Sequence, residues 1–270
     1  SFASKYYQHP IGRVIAAALP SHLKKGKAAV ALIEAIQITK KGNEIDLDKI
    51  RKRAPKQAKL LSYIKDKESI TIDILDKHAI EWRSQKKSLL KKKWITISQV
   101  KSSLSAQNTS IPTKGPALNA EQKLAVNNIK KAQDFVPFLL DGITGSGKTE
   151  VYLQVILEVL KKGKQCLILV PEIGLTTQFI ERIINRIGIE PVLLHSSLSE
   201  NQRFAAWKTI KNSHAKLILG TRSAIFAPAH NLGIIIVDEE NDVSYKQQDG
   251  FRYSARDLAV TKAKYFNIPI

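Results

Sequence analysis

Hydrophobic positions in the second half of the chain form two patterns: short, almost purely apolar runs, and longer stretches with an apolar residue at every third or fourth position. The short runs predict buried strands, and they are FVPFLLDG (135–142), CLILVPE (166–172), VLLH (192–195), KLILG (216–220) and LGIIIVDEE (232–240). The longer stretches predict helices: VYLQVILEVLKKG with Gly163 as C-cap, LTTQFIERIINRIG, and ENQRFAAWKTIKN behind a capping box of Ser199 and Gln202. The alternation predicts an α/β domain, a doubly wound parallel sheet covered by helices on both faces.

The first half of the chain has a different order of elements. Helical patterns cover APKQAKLLSYIKD (54–66), TIDILDKHAI (71–80) and the basic stretch EWRSQKKSLLKKKW (81–94), and a strand pattern covers WITISQV (94–100). Helix, helix, basic helix and β-ribbon is the order of a winged helix-turn-helix, whose basic helix can lie against DNA. The alternatives are a small helical domain with a solvated lysine-rich face, and a winged helix that binds protein or acts as a scaffold.

A stretch with little apolar content separates the two halves. It is SLSAQNTSIPTKGP, Ser103 to Pro116, and its Ser, Thr, Pro and Gly predict a linker. We therefore expect a smaller winged-helix α+β domain over residues 1–110 and the α/β domain over residues 111–270. The alternative for the N-terminal part of residues 1–110 is a linker.

Composition narrows the class of protein. The net charge of the 270 residues is +19, with 23 Lys/Arg against 9 Asp/Glu in residues 1–110 and 20 against 15 in the remainder. Such an excess favours a polyanionic partner, and nucleic acid is the commonest one in the cytosol; a solvated, solubility-promoting surface is the alternative. The single cysteine, Cys166, excludes an internal disulfide framework and predicts a small apolar residue packed in a strand.

Apolar runs in the sequence are too short for a membrane span, and the N-terminus lacks the zones of a signal peptide. We therefore expect a cytoplasmic protein without a membrane partner. The chain contains no methionine and starts with Ser, which favours a piece of something longer.

The glycine-rich stretch GITGSGKT fits the pattern G-x-x-x-x-G-K-[ST] between a predicted strand and a predicted helix. Its glycines let backbone N–H groups surround phosphate oxygens at the start of a helix. Lys148 is expected to reach the β- and γ-phosphates of ATP, and the Thr149 hydroxyl to ligate Mg²⁺. The predicted phosphate loop comprises Gly142, Ile143, Thr144, Gly145, Ser146, Gly147, Lys148 and Thr149.

An acidic box, Asp238, Glu239, Glu240 and Asn241, follows the last predicted strand. At the carboxyl end of that strand Asp238 can hold Mg²⁺, and Glu239 can polarise an attacking water. The alternative is an ordinary acidic loop, which would leave the phosphate loop without a metal partner. Together the two motifs predict ATP hydrolysis, with Lys148, Asp238 and Glu239 as the catalytic residues.

Seven phrases along the chain resemble, in order, the primosomal replication restart helicases of superfamily 2. They are YYQHPIGRVIAAALP, APKQAKLL, LNAEQ, DGITGSGKTEVYLQ, LVPEIGLTTQ, GTRSAIFAP and DEENDVSYKQQDGFRYSARDLAV. The resemblance implies that the α/β domain is a RecA-like first helicase lobe. It also implies that the chain is an internal fragment, with a domain that captures a 3′ DNA end, a second lobe with a zinc-binding insertion and a C-terminal domain elsewhere in the full-length protein.

Further site residues follow from this resemblance. Gln122 in LNAEQ matches a position near the adenine base, although it can equally be a glutamine on a helix surface. Thr221, Arg222 and Ser223 match a motif near the DNA backbone, although they can simply cap a strand. The family's acidic box ends in His, so Asn241 puts the coupling of hydrolysis to DNA in doubt.

The segment SYKQQDGFRY (244–253), called the aromatic loop below, resembles an aromatic-rich loop of some superfamily 2 DNA helicases. By that resemblance Tyr245, Phe251 and Tyr253 are expected to stack on bases, with Lys246 and Arg252 near phosphates. The alternative is that the rings pack the loop against the lobe.

The function implied is an ATP-dependent 3′-to-5′ DNA helicase that remodels stalled forks and initiates primosome assembly in the bacterial cytoplasm. Its expected partners are forked and single-stranded DNA, single-stranded DNA-binding protein and other primosome proteins, and it is expected to be a monomer. The isolated fragment should hydrolyse ATP weakly, because such helicases complete the γ-phosphate site with an arginine of the second lobe. The alternatives are a double-strand DNA translocase or restriction-type motor, and a nucleotide-switched DNA-binding scaffold.

Overall fold

The structure, a computed structural model, describes residues 2–26, 32–67, 69–72, 75, 82–101, 110–143 and 145–270. The chain divides into two compact units, one of Val30–Ser103 and one of Ser1–Ala29 together with Leu104–Ile270. The sequence predicted one boundary at residue 110, whereas the first 29 residues belong to the same unit as the α/β domain. Within the described part of the chain, no helix is both long and apolar enough to cross a membrane.

Residues 2–26, called the strap below, contain three short helices: α1 (Phe2–Tyr6), α2 (Ile11–Ala18) and α3 (Ser21–Lys24). Pro10 precedes α2 and Pro20 precedes α3, where a missing N–H costs nothing and the fixed φ starts a helix. Ala3 and Val14 are buried in the same apolar cluster as strand and helix residues of the α/β domain. The strap is therefore part of that domain's core.

The unit of residues 30–103 is built on an antiparallel sheet in the order β2–β1–β3. Its strands are β1 (Leu32–Ile38), β2 (Ser69–Thr71) and β3 (Ile95–Lys101), and its helices are α4 (Lys40–Asn43), α5 (Leu47–Arg53), α6 (Pro55–Lys65) and α7 (Trp82–Lys91). The core joins one face of the sheet to α6 and α7 through Ile36, Leu60, Leu61, Trp82 and Leu89.

Three of the four elements predicted in this unit are confirmed, as α6, the basic helix α7 and strand β3. The helix predicted over 71–80 is described only in part: Thr71 instead ends strand β2, whereas Ile72 and Leu75 are helical as predicted. Residues 73–74 and 76–80 lie outside the described residues. Strand β1, which pairs with both other strands, was not predicted.

The second unit contains a parallel sheet in the order β5–β6–β4–β7. Its strands are β4 (Gln165–Leu169), β5 (Val192–Leu194), β6 (Leu217–Gly220) and β7 (Leu232–Val237), and its helices are α8 (Ala120–Lys131), α9 (Lys148–Lys161), α10 (Thr177–Ile187), α11 (Glu200–Lys211) and α12 (Ala255–Phe266). Gly163 and Gly188 follow α9 and α10 with φ of 72° and 75°, and Ser199 with Gln202 forms the predicted capping box of α11.

Alternate residues of each strand enter opposite apolar clusters, as the pleat of a strand requires. On β4, Leu167 and Leu169 face the cluster of α11 and α12, whereas Cys166 and Ile168 face that of α8, α9 and α10. Both faces of the sheet are therefore covered, and the predicted RecA-like doubly wound lobe is confirmed. Cys166 is buried, as expected.

The segment that precedes the phosphate loop is extended but is not a regular strand. The Phe138 N–H donates to the Ile270 carbonyl at 2.8 Å, the Ile270 N–H donates to the Val136 carbonyl at 3.2 Å, and the Ile235 N–H donates to the Pro269 carbonyl at 3.3 Å. Residues 269–270 thus lie between β7 and residues 136–138. This arrangement brings the end of residues 135–142 to the same edge of the sheet as the carboxyl end of β7.

Candidate nucleotide-binding site and aromatic loop

The phosphate loop turns on glycines that no other residue replaces easily. Gly145 and Gly147 have φ of 82° and 86°, and Gly147 is the N-cap of α9, which starts at Lys148. A Cβ on Gly147 would lie 2.5 Å from Gln122 Nε2, and one on Gly142 would lie 2.7 Å from Ser146 Oγ. The loop is therefore a close-packed cradle at a helix N-terminus; the predicted loop residue Thr144 lies outside the described residues.

Lys148 and Gln122 brace this loop from two sides. The Lys148 ammonium donates to the carbonyl of Gly142 and, at 3.1 Å, to that of Ile143. The Gln122 side-chain amide donates to the Ser146 carbonyl at 2.9 Å, while its oxygen accepts the Asn119 N–H in a capping box at the start of α8. The structure therefore places Gln122 against the phosphate loop. Its contact with the adenine base stays a prediction.

Asp238 leaves strand β7 beside the phosphate-loop helix. Its N–H donates to the Leu169 carbonyl at 2.9 Å, and the Tyr152 hydroxyl donates to its Oδ2 at 3.1 Å. The Tyr245 hydroxyl donates to its backbone carbonyl at 2.6 Å. Burial raises the pKa of both phenols, and the Asp238 carboxylate raises each pKa further, so both hydroxyls remain donors.

Tyr152 is a site residue that the sequence analysis missed. It follows Lys148 by four residues on α9, so the two side chains project from the same face of the helix. That spacing was visible in GKTEVY, but the side chain was assigned to the apolar helical pattern.

The rest of the acidic box is more exposed. Glu239 is exposed and has a φ of 47°, a left-handed conformation that costs a non-glycine residue about 1–3 kcal/mol. Glu240 accepts a hydrogen bond from the Arg256 guanidinium at 2.8 Å, and Asn241 is exposed. The strained backbone is therefore that of Glu239, the residue predicted to polarise the attacking water. Strain of this kind can hold a catalytic side chain in the position that the reaction requires.

Thr221, Arg222 and Ser223 follow the end of β6, with Thr221 buried and the other two partly buried. The Thr221 N–H donates to the Leu194 carbonyl at 3.0 Å. Arg222 donates to two carbonyls at the start of the aromatic loop, Ser244 at 2.9 Å and Lys246 at 3.1 Å. The guanidinium that was predicted near DNA therefore also ties this motif to the aromatic loop.

A lysine of α12 contacts the residues that follow Ser223 in the phrase GTRSAIFAP. The Lys262 ammonium donates to the carbonyls of Ile225 at 2.9 Å and Ala227 at 2.7 Å. Burial lowers the pKa of Lys262 from 10.5 to about 8. Lys262 was not predicted as a site residue, because an isolated lysine in an amphipathic helix carries no signal of its partners.

The aromatic loop corrects one prediction. Tyr245, Phe251 and Tyr253 are only 2%, 6% and 5% exposed, so their faces are not available to a base in this structure. Tyr253 packs edge-on against Phe226 with ring centroids 4.9 Å apart, and against Phe251 at 5.2 Å. All three rings instead pack the loop against the lobe, which was the alternative to base stacking.

Lys246 and Arg252 are the exposed members of the loop's predicted DNA-contacting set. The loop is closed by a bridge between Lys246 and Ser254 and by a hydrogen bond from the Gln247 N–H to the Tyr253 carbonyl at 2.9 Å. The two cationic side chains thus project from a short, hydrogen-bonded hairpin.

A cleft of about 410 Å³ lies beside the first turn of α9. Two of its lining side chains are buried and paired: Arg186 Nη2 lies 2.5 Å from Glu150 Oε1. Arg186 Nη1 also donates to the Thr113 carbonyl at 3.0 Å, which fastens the segment before α8 to the lobe. Lys114, Gln178 and Arg182 also line the cleft.

Comparison with known proteins finds relatives over the whole chain. The family model of the DEAD/DEAH box helicases matches residues 119–267. The chain is 41% identical over 278 residues to the replication restart protein PriA of Haemophilus influenzae, covering 100% of this chain and 37% of that protein. It is 45% identical over 156 residues to PriA of Bacillus subtilis, covering 57% of this chain and 19% of that one.

The chain thus spans between about a fifth and two fifths of these two relatives' lengths. A solved structure, that of the DUF1998 helicase MrfA, is similar at a TM-score of 0.38 and 20% identity, covering 57% of this chain and 26% of that one. That likeness is too distant to carry an argument.

Proposed function

The chain belongs to the DEAD/DEAH box helicase family, and on that premise we propose that it is the ATP-binding lobe and a DNA-contacting domain of a replication restart helicase. The full-length protein would use ATP hydrolysis to move 3′ to 5′ along DNA, remodel stalled forks and initiate primosome assembly. Forked and single-stranded DNA, single-stranded DNA-binding protein and other primosome proteins would be its partners. The similarity to PriA proteins over the whole chain supports this proposal.

The observation that carries the proposal is the direct link between the two halves of the nucleotide site. The phosphate-loop helix begins at Lys148, and one turn later its Tyr152 hydroxyl reaches Asp238 at the end of β7. A phosphate group held by the loop would therefore lie beside the acidic box. This is the arrangement that phosphoryl transfer from a nucleoside triphosphate requires.

The residues of the site fit ATP and Mg²⁺ by their chemistry. The N–H groups at the start of α9 and the Lys148 ammonium suit phosphate oxygens, while the Thr149 hydroxyl and the Asp238 carboxylate are the hard oxygen ligands that Mg²⁺ prefers. Bound Mg²⁺ would neutralise phosphate charge. Glu239 is exposed beside Asp238 and would orient the attacking water.

DNA contact is proposed for two surfaces, each considered within its own unit. In residues 30–103, an antiparallel three-stranded sheet packed on the basic helix α7 supports a winged helix, and Arg83, Lys87 and Lys91 of that helix are exposed. In the lobe, Lys246 and Arg252 are exposed on the aromatic loop. Exposed lysine and arginine contact phosphates without base preference, as expected of an enzyme that acts on any fork.

The proposal is tested by ATP hydrolysis of the full-length protein with and without forked DNA. Lys148→Ala should abolish hydrolysis by weakening nucleotide binding, and Glu239→Gln should abolish it while nucleotide still binds. DNA-stimulated hydrolysis at an unchanged rate in both variants would refute the assignment of the site. Asn241→His introduces the histidine that ends the acidic box of the helicase family that the chain resembles. It should raise the ratio of DNA-stimulated to basal hydrolysis. An unchanged ratio would show that position 241 does not limit the coupling of hydrolysis to DNA.

Two alternatives give different results with the full-length protein. A double-strand translocase or restriction-type motor would hydrolyse ATP on duplex DNA without displacing a strand from a fork. A nucleotide-switched scaffold would keep its restart function in Glu239→Gln, since only binding of nucleotide would matter. Strand displacement on forked substrates separates the first alternative, and fork restart by Glu239→Gln separates the second.

A further inference from the structure

Tyr7 of the strap makes several contacts with the aromatic loop. Its hydroxyl accepts a hydrogen bond from the Ser254 N–H at 3.1 Å and lies 3.5 Å from Asp257 Oδ2. Its ring packs edge-on against Phe251 with centroids 5.7 Å apart, and the Lys246 ammonium lies 5.4 Å from the ring centroid. Tyr7 therefore touches both strands of the loop and the residue that follows it.

The start of the loop is hydrogen-bonded to the acidic box and to Arg222. Tyr245, at the start of the loop, donates to the Asp238 carbonyl at 2.6 Å, and Arg222 donates to the carbonyls of Ser244 and Lys246. The loop is itself closed by the bridge from Lys246 to Ser254. A short series of direct contacts thus runs from Tyr7 through the loop to the main chain of Asp238.

Other contacts dock the strap independently of Tyr7. His9 stacks on Phe251 at 5.2 Å, and His22 stacks on Phe204 at 5.2 Å. Lys25 lies 3.5 Å from Glu200. Loss of the Tyr7 hydroxyl alone would therefore leave the strap in place.

We propose that Tyr7 is a positioning residue for ATP hydrolysis: through Ser254, Lys246 and Phe251 it holds the aromatic loop in the conformation in which Tyr245 fixes the Asp238 backbone. The inference rests on the proposed function of the acidic box. Burial raises the pKa of Tyr7, and the facing carboxylate of Asp257 raises it further, so the hydroxyl is neutral near pH 7. The Tyr7 hydroxyl accepts the hydrogen bond of the backbone N–H of Ser254, the N-cap residue of α12.

The test compares full-length Tyr7→Phe with the parent protein in ATP hydrolysis. We expect the DNA-stimulated kcat to fall about three- to tenfold, the range of one lost hydrogen bond, while KM for ATP stays within about twofold and the melting temperature falls by no more than about 4 °C. Tyr7→Ala, which also loses the ring contacts, should lower kcat further. Tyr6→Phe is the matched control, since its side chain is 58% exposed and its hydroxyl should not matter.

An unchanged kcat in Tyr7→Phe would overturn the proposal, as would a loss of kcat equal to that of Tyr6→Phe. A fall in kcat that accompanies partial unfolding of Tyr7→Phe at the assay temperature would also overturn it, because the role would then be structural. Lys148→Ala is measured in parallel. If that variant still hydrolyses ATP, the proposed function has failed, and the result says so independently of Tyr7.

Discussion

Arg186 is the residue whose replacement should destabilise the lobe most clearly. It is 9% exposed, and its guanidinium contacts the carboxylate of Glu150, which is 3% exposed, through Nε at 3.1 Å and Nη2 at 2.5 Å. Arg186→Met keeps most of the side-chain volume but leaves the Glu150 carboxylate buried without its charged partner, with the Gln154 amide still donating to it at 3.0 Å. It also removes the donor to the Thr113 carbonyl.

The expected loss can be worked out from these contacts. Removing one partner of a buried pair costs about 3–5 kcal/mol. The N-terminus of α9 lies next to Glu150 and offsets up to about 1 kcal/mol of that cost through the helix dipole. We therefore expect a loss of about 2–5 kcal/mol, which lowers the melting temperature of a unit of this size by roughly 4–20 °C.

The measurement is urea and thermal unfolding of Arg186→Met beside Arg182→Met, the matched control. Arg182 lies one turn earlier on α10 and is exposed, so its replacement should cost less than about 0.5 kcal/mol. Combining Arg186→Met with Glu150→Gln should recover at least about 2 kcal/mol relative to the sum of the single changes, because the orphaned charge is gone. Equal stability of the Arg186 and Arg182 variants would refute the reasoning.

Two further changes have defined outcomes. Lys262 is partly buried and has a pKa of about 8 in the folded chain against 10.5 when unfolded, so stability should rise with pH from about 8 towards 10.5. In urea unfolding the parent should gain about 2 kcal/mol relative to Lys262→Met between pH 7.5 and 9.5, whereas exposed Lys264→Met should follow the parent. An equal pH dependence in all three proteins would contradict the lowered pKa of Lys262. In Gly147→Ala the new Cβ clashes with Gln122 and also has a strained positive φ, whereas in Gly145→Ala only the φ is strained. Gly147→Ala should therefore weaken binding of a fluorescent ATP analogue more than Gly145→Ala does. Equal affinities of the two variants would show that the contact with Gln122 is not needed.

The lobe was largely predictable because its elements carry local signals. Buried parallel strands are continuous apolar runs, and capping residues such as Ser199 and Gly188 mark helix ends within a few positions. The phosphate loop combines both signals with a motif. Strand β1 was missed since LIEAIQI alternates only partly and lies between short polar helices, so its pairing with β2 and β3 decides its conformation.

The contacts that arrange the site were not predictable from local patterns. Tyr245, Phe251 and Tyr253 occur in a polar loop, which is typical of exposed aromatic side chains. They are buried by packing in the large apolar cluster of the lobe, which Phe226 and Tyr7 of the strap also contact. The membership of residues 1–29 in the α/β unit likewise depends on partners far along the chain. Sequence spacing carries no information about such contacts.

The strap also sets an order of events during synthesis. Tyr7 and Ser254, which share a hydrogen bond, are 247 residues apart, whereas all contacts within residues 30–103 are far more local. At about 5–20 residues per second, a ribosome needs roughly 12–50 s to add the residues between them. The strap residues therefore emerge long before Ser254 and are among the last of their unit to reach native positions. Until then the buried side of the strap and its binding surface on the lobe are open to other hydrophobic partners, such as a chaperone.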